Sequence, residues 1–138
     1  MAAKLVFGLK NGTSVQKEIG DAEFKFFLGK KIKDVVKGEG FGFPGYEFEI
    51  AGGSDYCGFP MRWDVSGFQR KRILAVKGVG LKQTAKGIKH RKTVCGNTIH
   101  PKIAQLNLKV IKEGSTPLAP PKEEKKESAE AKKEETKA

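Results

Sequence analysis

The sequence predicts an all-β domain, either a small antiparallel barrel or a sandwich, and we favour the barrel-like form with glycine-rich loops. Seventeen of the 138 residues are glycine, about twice the usual share, which indicates many tight turns and short strands rather than long helices. About seven short strand-like runs lie between these turns. The chain has room for one folded domain of about 110 residues with one modest core.

Four strands are predicted in the first half of the chain: Lys4–Leu9, Thr13–Ile19, Ile32–Val36 and Tyr46–Ile50. The first two flank Asn11-Gly12, and we expect a type I′ hairpin turn there because both residues tolerate a positive φ. The third strand follows a glycine turn. In the fourth strand, apolar residues alternate with Glu47 and Glu49, which is typical of a half-buried strand.

Three strands are predicted in the second half: Arg72–Val76, Thr93–Ile99 and Leu106–Ile111. Residues 52–67 are dense in turn-forming residues, and we expect a turn region there. Residues 82–92 are basic and polar without a helical apolar stripe, so we interpret them as an exposed loop. The last strand alternates leucine and valine with Asn107 and Lys109 before it reaches Ile111.

The C-terminal part of the sequence is unlike the rest. We assign residues 1–114 to the folded domain, residues 115–121 to a proline-rich linker and residues 122–138 to a charged tail. The tail consists almost wholly of Lys, Glu and Ala, so it has too little apolar surface to order itself. We expect it to be disordered or transiently helical.

The net charge of +11 is concentrated in the centre of the sequence. Residues 66–112 contain no acidic residue, whereas residues 1–65 balance nine basic against nine acidic residues and residues 113–138 carry six against seven. The block holds twelve basic residues: Arg70, Lys71, Arg72, Lys77, Lys82, Lys86, Lys89, Arg91, Lys92, Lys102, Lys109 and Lys112. A field of one sign attracts a polyanion, so the block indicates a nucleic-acid partner.

The candidate contacts are the basic residues that cluster or lie on the predicted loops. They are Arg62, Arg70, Lys71, Arg72, Lys77, Lys82, Lys86, Lys89, His90, Arg91 and Lys92. Arginine forks bind phosphates bidentately and lysines act as point charges. Aromatic residues near the block are few, which favours folded RNA over a single strand.

Other chemistries have weaker support in the sequence. Gly40–Gly45 matches G-x-G-x-x-G, but a proline lies inside the match and a strand follows, so we interpret it as a turn. His90, Cys95 and His100 lack the paired spacing of a zinc site, and Asp55 with Asp64 shows no sign of a tuned carboxylate pair. We therefore expect no enzyme activity, no metal, no cofactor and no small-molecule substrate. Without a signal peptide or a long apolar run, we expect a cytoplasmic protein with no membrane partner.

One string of the sequence resembles a known family. Gly52-Gly53-Ser54-Asp55-Tyr56-Cys57-Gly58-Phe59-Pro60-Met61 resembles the Gly-Gly-x-Asp-x-x-Gly-x-Pro-Met signature of the archaeal and eukaryotic small-subunit ribosomal protein six family. Further similar strings run from residue 4 to about residue 114, and the short length resembles the archaeal members. The resemblance implies a β-barrel-type component of the small ribosomal subunit that contacts ribosomal RNA and neighbouring ribosomal proteins.

We interpret the signature as mainly architectural. Gly52, Gly53, Gly58 and Pro60 would fix an irregular backbone, Asp55 would accept hydrogen bonds from its amides, and Met61 would fill a gap in the core. The chain departs from the family at Cys95, where an arginine is usual, so one phosphate contact implied by the resemblance is missing. An alternative function is a free-standing nucleic-acid-binding barrel or RNA chaperone, which would bind generic oligonucleotides.

Overall fold

A computed structural model describes residues 3–82, 86–114 and 118, and in these residues the protein is built mainly from strands. The strands are β1 (Ala3–Gly8), β2 (Ser14–Ile19), β3 (Val35–Lys37), β4 (Glu47–Asp55), β5 (Lys71–Ala75), β6 (His90–Val94) and β7 (Ile103–Lys112). A four-residue helix, α1 (Asp21–Phe24), continues into a 3₁₀ turn at Lys25–Phe27, and a second 3₁₀ turn spans Gly38–Phe41. The all-β prediction is confirmed.

The strands form two sheets. The larger has the order β2-β1-β7-β4-β3, and the smaller consists of β5 and β6. β1 and β7 are parallel, and the other pairs are antiparallel, so the expectation of a purely antiparallel domain is wrong. A parallel pair requires a long connection, which the whole of residues 9–102 provides between these strands. The larger sheet ends at β2 and β3 and is not closed into a barrel.

The core lies on one face of the larger sheet and contains a cluster of buried aromatic rings among aliphatic side chains. The rings of Phe7 and Phe48, from β1 and β4, have centroids 5.1 Å apart. Phe41 lies 5.5 Å from Phe48 and 5.0 Å from Phe27, so both 3₁₀ turns contribute a ring to the cover of the sheet. On β4, Phe48 and Ile50 are buried while Glu47 and Glu49 are half-buried, which confirms the alternation predicted for Tyr46–Ile50.

The first hairpin has a different turn from the one predicted. Gly12 has a φ of 82°, but Asn11 does not have a positive φ, so the type I′ assignment is wrong. The Asn11 Oδ1 accepts hydrogen bonds from the Thr13 amide at 3.1 Å and the Thr13 hydroxyl at 2.6 Å. This side-chain turn stabilises Asn11 in an ordinary conformation, and only the glycine takes the left-handed one.

The strand β4 is longer than the sequence indicated. It continues through Gly52 and Gly53 to Asp55, within the segment predicted as turns, because register shifts at residues 50–52 and 54–55 let it follow β7. The G-x-G-x-x-G match lies at the second 3₁₀ turn and before β4, as expected of a turn. In the described residues, no helix is long and apolar enough to cross a membrane.

The C-terminal predictions fall largely outside the described residues. Residues 115–117 and 119–138, which include most of the predicted linker and the whole tail, are not described. Leu118 is described, and its half-buried side chain packs against the core.

Candidate nucleic-acid interface

Eight of the twelve cations of the basic block lie on a β-hairpin, including its connecting segment, that is separate from the larger sheet. In this β5–β6 hairpin, five pairs of residues run from Lys71↔Val94 to Ala75↔His90. Short runs of branched residues such as Ile73 and Thr93 favour the strands, and Gly78 and Gly80, with φ of 128° and 81°, turn the chain beyond β5. His90–Lys92 therefore belong to a strand, and the prediction of a loop through residue 92 is wrong there.

Both faces of the β5–β6 hairpin present cations. Facing residues of an antiparallel pair point to the same side, so Arg72 and Arg91 share one face while Lys71 and Lys92 share the other. All four side chains are exposed. The connecting segment adds exposed Lys77, Lys82, Lys86 and Lys89. In residues 3–82 and 86–114, no ion pair involves any of these eight cations.

The β5–β6 hairpin also exposes large apolar side chains. Leu74 is 58% exposed, and Val79 and Ile88 are exposed to a similar degree. Leu74 pairs with Arg91, so an aliphatic group and a guanidinium lie side by side on one face. A surface of this mixed kind, with unpaired cations and uncovered apolar groups, has the composition of a contact surface rather than of a solvated face.

Arg70 differs from its neighbours on the hairpin because it is held by a buried carboxylate. Its Nε donates a 2.6 Å hydrogen bond to the Oδ2 of Asp55, whose side chain is 1% exposed. The guanidinium also lies 4.8 Å from the ring centroid of Tyr56 and 5.1 Å from that of Phe59. The hydrogen bond to Asp55 raises the pKa of Arg70 further above its ordinary value.

Asp55 is the centre of the family-signature loop. The amides of Cys57 and Phe59 donate to its Oδ1 at 2.8 and 3.2 Å. Burial by itself would raise the pKa of Asp55, but the hydrogen bonds from Arg70 and the two amides, with the charge of Arg70, lower it overall. Asp55 thus organises its loop as the sequence suggested, and Arg70 balances its charge.

Arg62 is likewise held by a carboxylate. Its Nε and Nη2 donate to the two carboxylate oxygens of Asp64 at 2.8 and 2.6 Å, and its side chain is only 12% exposed. The hydrogen bond to Asp64 raises the pKa of Arg62, and the same bond lowers the pKa of Asp64. The guanidinium also packs beneath Gly78 in the hairpin connection, where an added Cβ would lie 3.0 Å from Nη1. Arg62 and Arg70, both predicted as RNA contacts, are therefore each paired with a carboxylate within the protein.

The remaining signature residues join the two sheets. The Met61 amide donates to the Gly53 carbonyl at 2.9 Å, while the Cys95 amide donates to the Pro60 carbonyl at 2.9 Å. The side chain of Met61 is buried in the core, and Gly58 has a φ of 83° that suits glycine. Residues 60–62 thus bridge from β4 to the end of β6 and fix the hairpin on the domain.

Three cations of the basic block lie away from the β5–β6 hairpin. Lys109 is paired in register with Glu49 on the neighbouring strand, and the Nζ of Lys112 lies 3.9 Å from a carboxylate oxygen of Glu47. Lys102 is exposed in the turn before β7. The acidic residues of β4 thus offset the charge of β7, and in the described residues the cations of the block without an acidic partner are those of the hairpin and Lys102.

Cys95, at the position where the resemblance implies an arginine, is fully buried. Its Sγ lies 3.8 Å from the Phe68 carbonyl and 3.5 Å from the Nε2 of His100. Burial raises the pKa of the Cys95 thiol and lowers the pKa of His100, so both groups are neutral at pH 7. The Cys95 thiol is enclosed by the protein and lies beside the His100 ring.

An open cleft lies beside the β5–β6 hairpin and was not predicted from the sequence; we call it the aromatic cleft. Its volume is about 480 Å³, and it is lined mainly by Tyr56, Phe68, Gln69, Arg70, His100 and Lys102. Tyr56 and Phe68 are 50% and 59% exposed. Exposed aromatic residues in turns were the available signal, but they lie in segments that only the fold brings together. In residues 3–82 and 86–114, no cluster of three or more His, Cys, Asp or Glu residues could hold a metal ion.

Comparisons with known proteins agree on one family. A family model described as "Ribosomal protein S6e" matches residues 4–122. A relative from Methanosphaera stadtmanae, named small ribosomal subunit protein eS6, is 44% identical over 116 residues, which are 81% of this chain and 89% of the relative. Proteins of the same name from Methanococcus maripaludis strain C7 and Archaeoglobus fulgidus are 41% and 42% identical, over 86% and 79% of this chain and 94% and 85% of their own lengths. The chain belongs to the ribosomal protein S6e family.

Proposed function

We propose that this protein is a structural component of the small ribosomal subunit, and that it binds small-subunit ribosomal RNA through the β5–β6 hairpin and its connecting segment. The archaeal relatives are named as small ribosomal subunit proteins. The observation that carries the RNA contact is the set of eight exposed hairpin cations, none of which has an acidic partner in the described residues.

The cations of the β5–β6 hairpin lie close enough together to repel each other. Four like charges on five strand pairs repel each other, and nearby acidic side chains would normally relieve this. Here residues 66–112 supply none, so an external polyanion provides the missing charge. Because both faces of the hairpin carry cations, RNA phosphates contact it from both sides, which positions it in one register on folded RNA.

In this function the domain anchors the hairpin and performs no chemical step. Arg62 and Arg70 are braces rather than free phosphate ligands, since each is paired with a carboxylate. Their role is to hold the hairpin and the adjacent loops at a fixed angle to the larger sheet, so that RNA binding supports subunit assembly without a large ordering cost.

The test compares the charges of the hairpin with charges elsewhere. In one variant Lys71, Arg72, Arg91 and Lys92 are changed to Gln. In the control the same change is made at Lys10, Lys25, Lys37 and Lys109, which are also exposed. Binding to transcribed small-subunit ribosomal RNA is measured by filter retention from 50 to 400 mM KCl, a range chosen to give a slope of log K against log salt. Each lost phosphate contact lowers that slope by about 0.7–0.9, so we expect the hairpin variant to lose about three units and the control less than one.

Equal slopes for the two variants would contradict the assignment of the site. Equal affinity of the unaltered protein for ribosomal RNA and for unrelated oligonucleotides would favour the free-standing RNA chaperone instead. In cell extracts at low salt, we expect the protein to sediment with small subunits.

A further inference from the structure

The aromatic cleft has the composition of a site for a single nucleobase. Two half-exposed rings, Tyr56 and Phe68, stand at its rim, and His100 lies edge-on to Phe68 with ring centroids 6.4 Å apart. A volume of about 480 Å³ lies within the 300–1,000 Å³ range of small-ligand sites. Exposed rings in a concave site lose unfavourable hydration when a flat apolar surface covers them.

The charges of the cleft suit a nucleotide. Arg70 and Lys102 line it, and no residue of the lining is acidic. Asp55, the carboxylate bonded to Arg70, is buried and also accepts hydrogen bonds from two amides, so its charge is balanced within the protein. Gln69 adds an amide, which can donate to and accept from the edge of a base.

The rim is held in place before any ligand arrives. The Tyr56 amide donates to the Lys102 carbonyl at 3.0 Å, which ties two sides of the cleft together. The buried thiol of Cys95 links Phe68 to His100. Its S–H donates to the Phe68 carbonyl, and its sulfur accepts from the Nε2–H of His100. The His100 Nδ1 accepts from the Lys102 amide at 3.2 Å, so both ring nitrogens are occupied and the ring serves as a wall.

The cleft adjoins the proposed RNA contact, because Arg70 directly precedes β5 and lines the cleft. Folded RNA also has loops, bulges and ends with unstacked bases, and proteins that bind these bases stack them on aromatic or arginine side chains. We infer that the aromatic cleft binds one unstacked nucleotide of the RNA that the β5–β6 hairpin holds, with its base against Tyr56 and Phe68 and its phosphate at Lys102. This inference rests on the proposed function.

The first experiment replaces the rings without changing the charge. Tyr56→Leu with Phe68→Leu keeps apolar bulk at two exposed positions, and Phe26→Leu is the control, since Phe26 is 55% exposed but lies against Gly40. Binding to transcribed small-subunit ribosomal RNA is measured over the same range of KCl. Stacking of a base on an aromatic ring predicts a loss of affinity on the order of 10- to 100-fold for the double variant, with an unchanged salt slope. The control should bind as the unaltered protein does.

The second experiment uses the unaltered protein. Irradiation of its complex with the same RNA at 254 nm, a wavelength absorbed by bases, is followed by mass spectrometry of peptides that carry a nucleotide. We expect adducts on Tyr56 or Phe68. Addition of adenosine, guanosine, cytidine or uridine monophosphate should shift the NMR signals of these rings, whereas ribose 5-phosphate, which lacks a base, should not.

The outcomes separate this inference from the proposed function. If the double variant binds as tightly as the unaltered protein and no adduct forms in the cleft, while the hairpin variant still loses its salt slope, the cleft inference fails alone. If neither the hairpin nor the cleft variant changes RNA binding, the proposed function fails. Cross-links from the cleft of assembled subunits to another protein, rather than to RNA, would also overturn the inference.

Discussion

At the scale of single residues, two adjacent glycines of the family signature have different surroundings. A Cβ on Gly53 would overlap the carbonyl oxygen of Gln105 on β7, because the backbones of β4 and β7 approach closely there. A Cβ on Gly52 would meet nothing within 4 Å. Gly53 is therefore required by the packing of the sheet, whereas Gly52 is not.

Because of this contrast, we expect substitution by alanine to lower the free energy of unfolding more at Gly53 than at Gly52. We expect Gly53→Ala to lower the free energy of unfolding by about 1–3 kcal/mol, because the strands must move apart to admit the methyl group. Gly52→Ala serves as the matched control and should change it by less than about 0.5 kcal/mol. Urea denaturation followed by circular dichroism measures both. A cost for Gly52→Ala as large as that for Gly53→Ala would contradict this account.

A second prediction at this scale concerns Asp55 and acid. Its pKa is lower in the folded protein than in the unfolded chain, so it stabilises the fold above about pH 4 and this stabilisation is lost as pH falls through the lowered pKa. We expect Asp55→Asn to reduce the free energy of unfolding at pH 7 by about 1–3 kcal/mol, because Arg70 loses its counter-charge.

The pH dependence of stability, compared between the unaltered protein and the Asp55→Asn variant, checks this prediction. Between pH 5 and pH 2.5, in urea titrations chosen to span the carboxylate range, the stability of the unaltered protein should fall more steeply than that of the Asp55→Asn variant. Asp64, whose pKa is also lowered, keeps some pH dependence in both proteins. If the two curves run parallel through this range, Asp55 does not carry the acid sensitivity.

At the scale of elements, the β5–β6 hairpin is less supported than the larger sheet. It has two strands and five residue pairs, and of its ten strand residues only Val94 is buried. Two-stranded sheets are only marginally stable by themselves. The links that hold it are at its base, where residues 60–62 bridge to Cys95 and Arg62 packs beneath Gly78.

We therefore expect local opening of the hairpin without unfolding of the domain. In native-state hydrogen exchange, the amides of β5 and β6 should exchange at least about 100-fold faster than those of β7, which is paired on both sides. Addition of small-subunit ribosomal RNA should slow exchange in the hairpin and leave β7 unchanged. Protection of β5 and β6 equal to that of β7 in the free protein would show that the hairpin belongs to the same cooperative unit.

At the scale of the whole molecule, composition and periodicity predicted the class of fold, the number of strands in the described residues and the region of excess charge. These properties are local, because alternation along a strand and counts of charge need no knowledge of neighbours. The sixth strand was misplaced, because it spans His90–Val94 rather than Thr93–Ile99. The direction of pairing is not local, so nothing in β1 or β7 alone indicated that they would lie parallel.

The candidate site was predictable to the same extent. The sequence identified the hairpin cations, but it grouped Arg62 and Arg70 with them because charge alone does not reveal a partner. Asp55 precedes Arg70 by 15 residues, and only the fold brings their side chains together. The aromatic cleft was missed for the same reason, since Tyr56, Phe68 and His100 belong to three separate segments.

The position of β7 has a consequence for how the chain folds. β7 is the last strand in the part of the chain that the structure describes, yet it is the middle strand of the larger sheet, with β1 on one side and β4 on the other. During synthesis the N-terminal hairpin and the β3–β4 pair therefore have no common partner until residues 103–112 have left the ribosome. Contacts between such distant parts of a chain form slowly, so the larger sheet forms late in folding, when β7 pairs with both β1 and β4. A nascent chain that stops before Ile103 exposes strand edges on both halves, so the larger sheet is completed only after β7 has been synthesised.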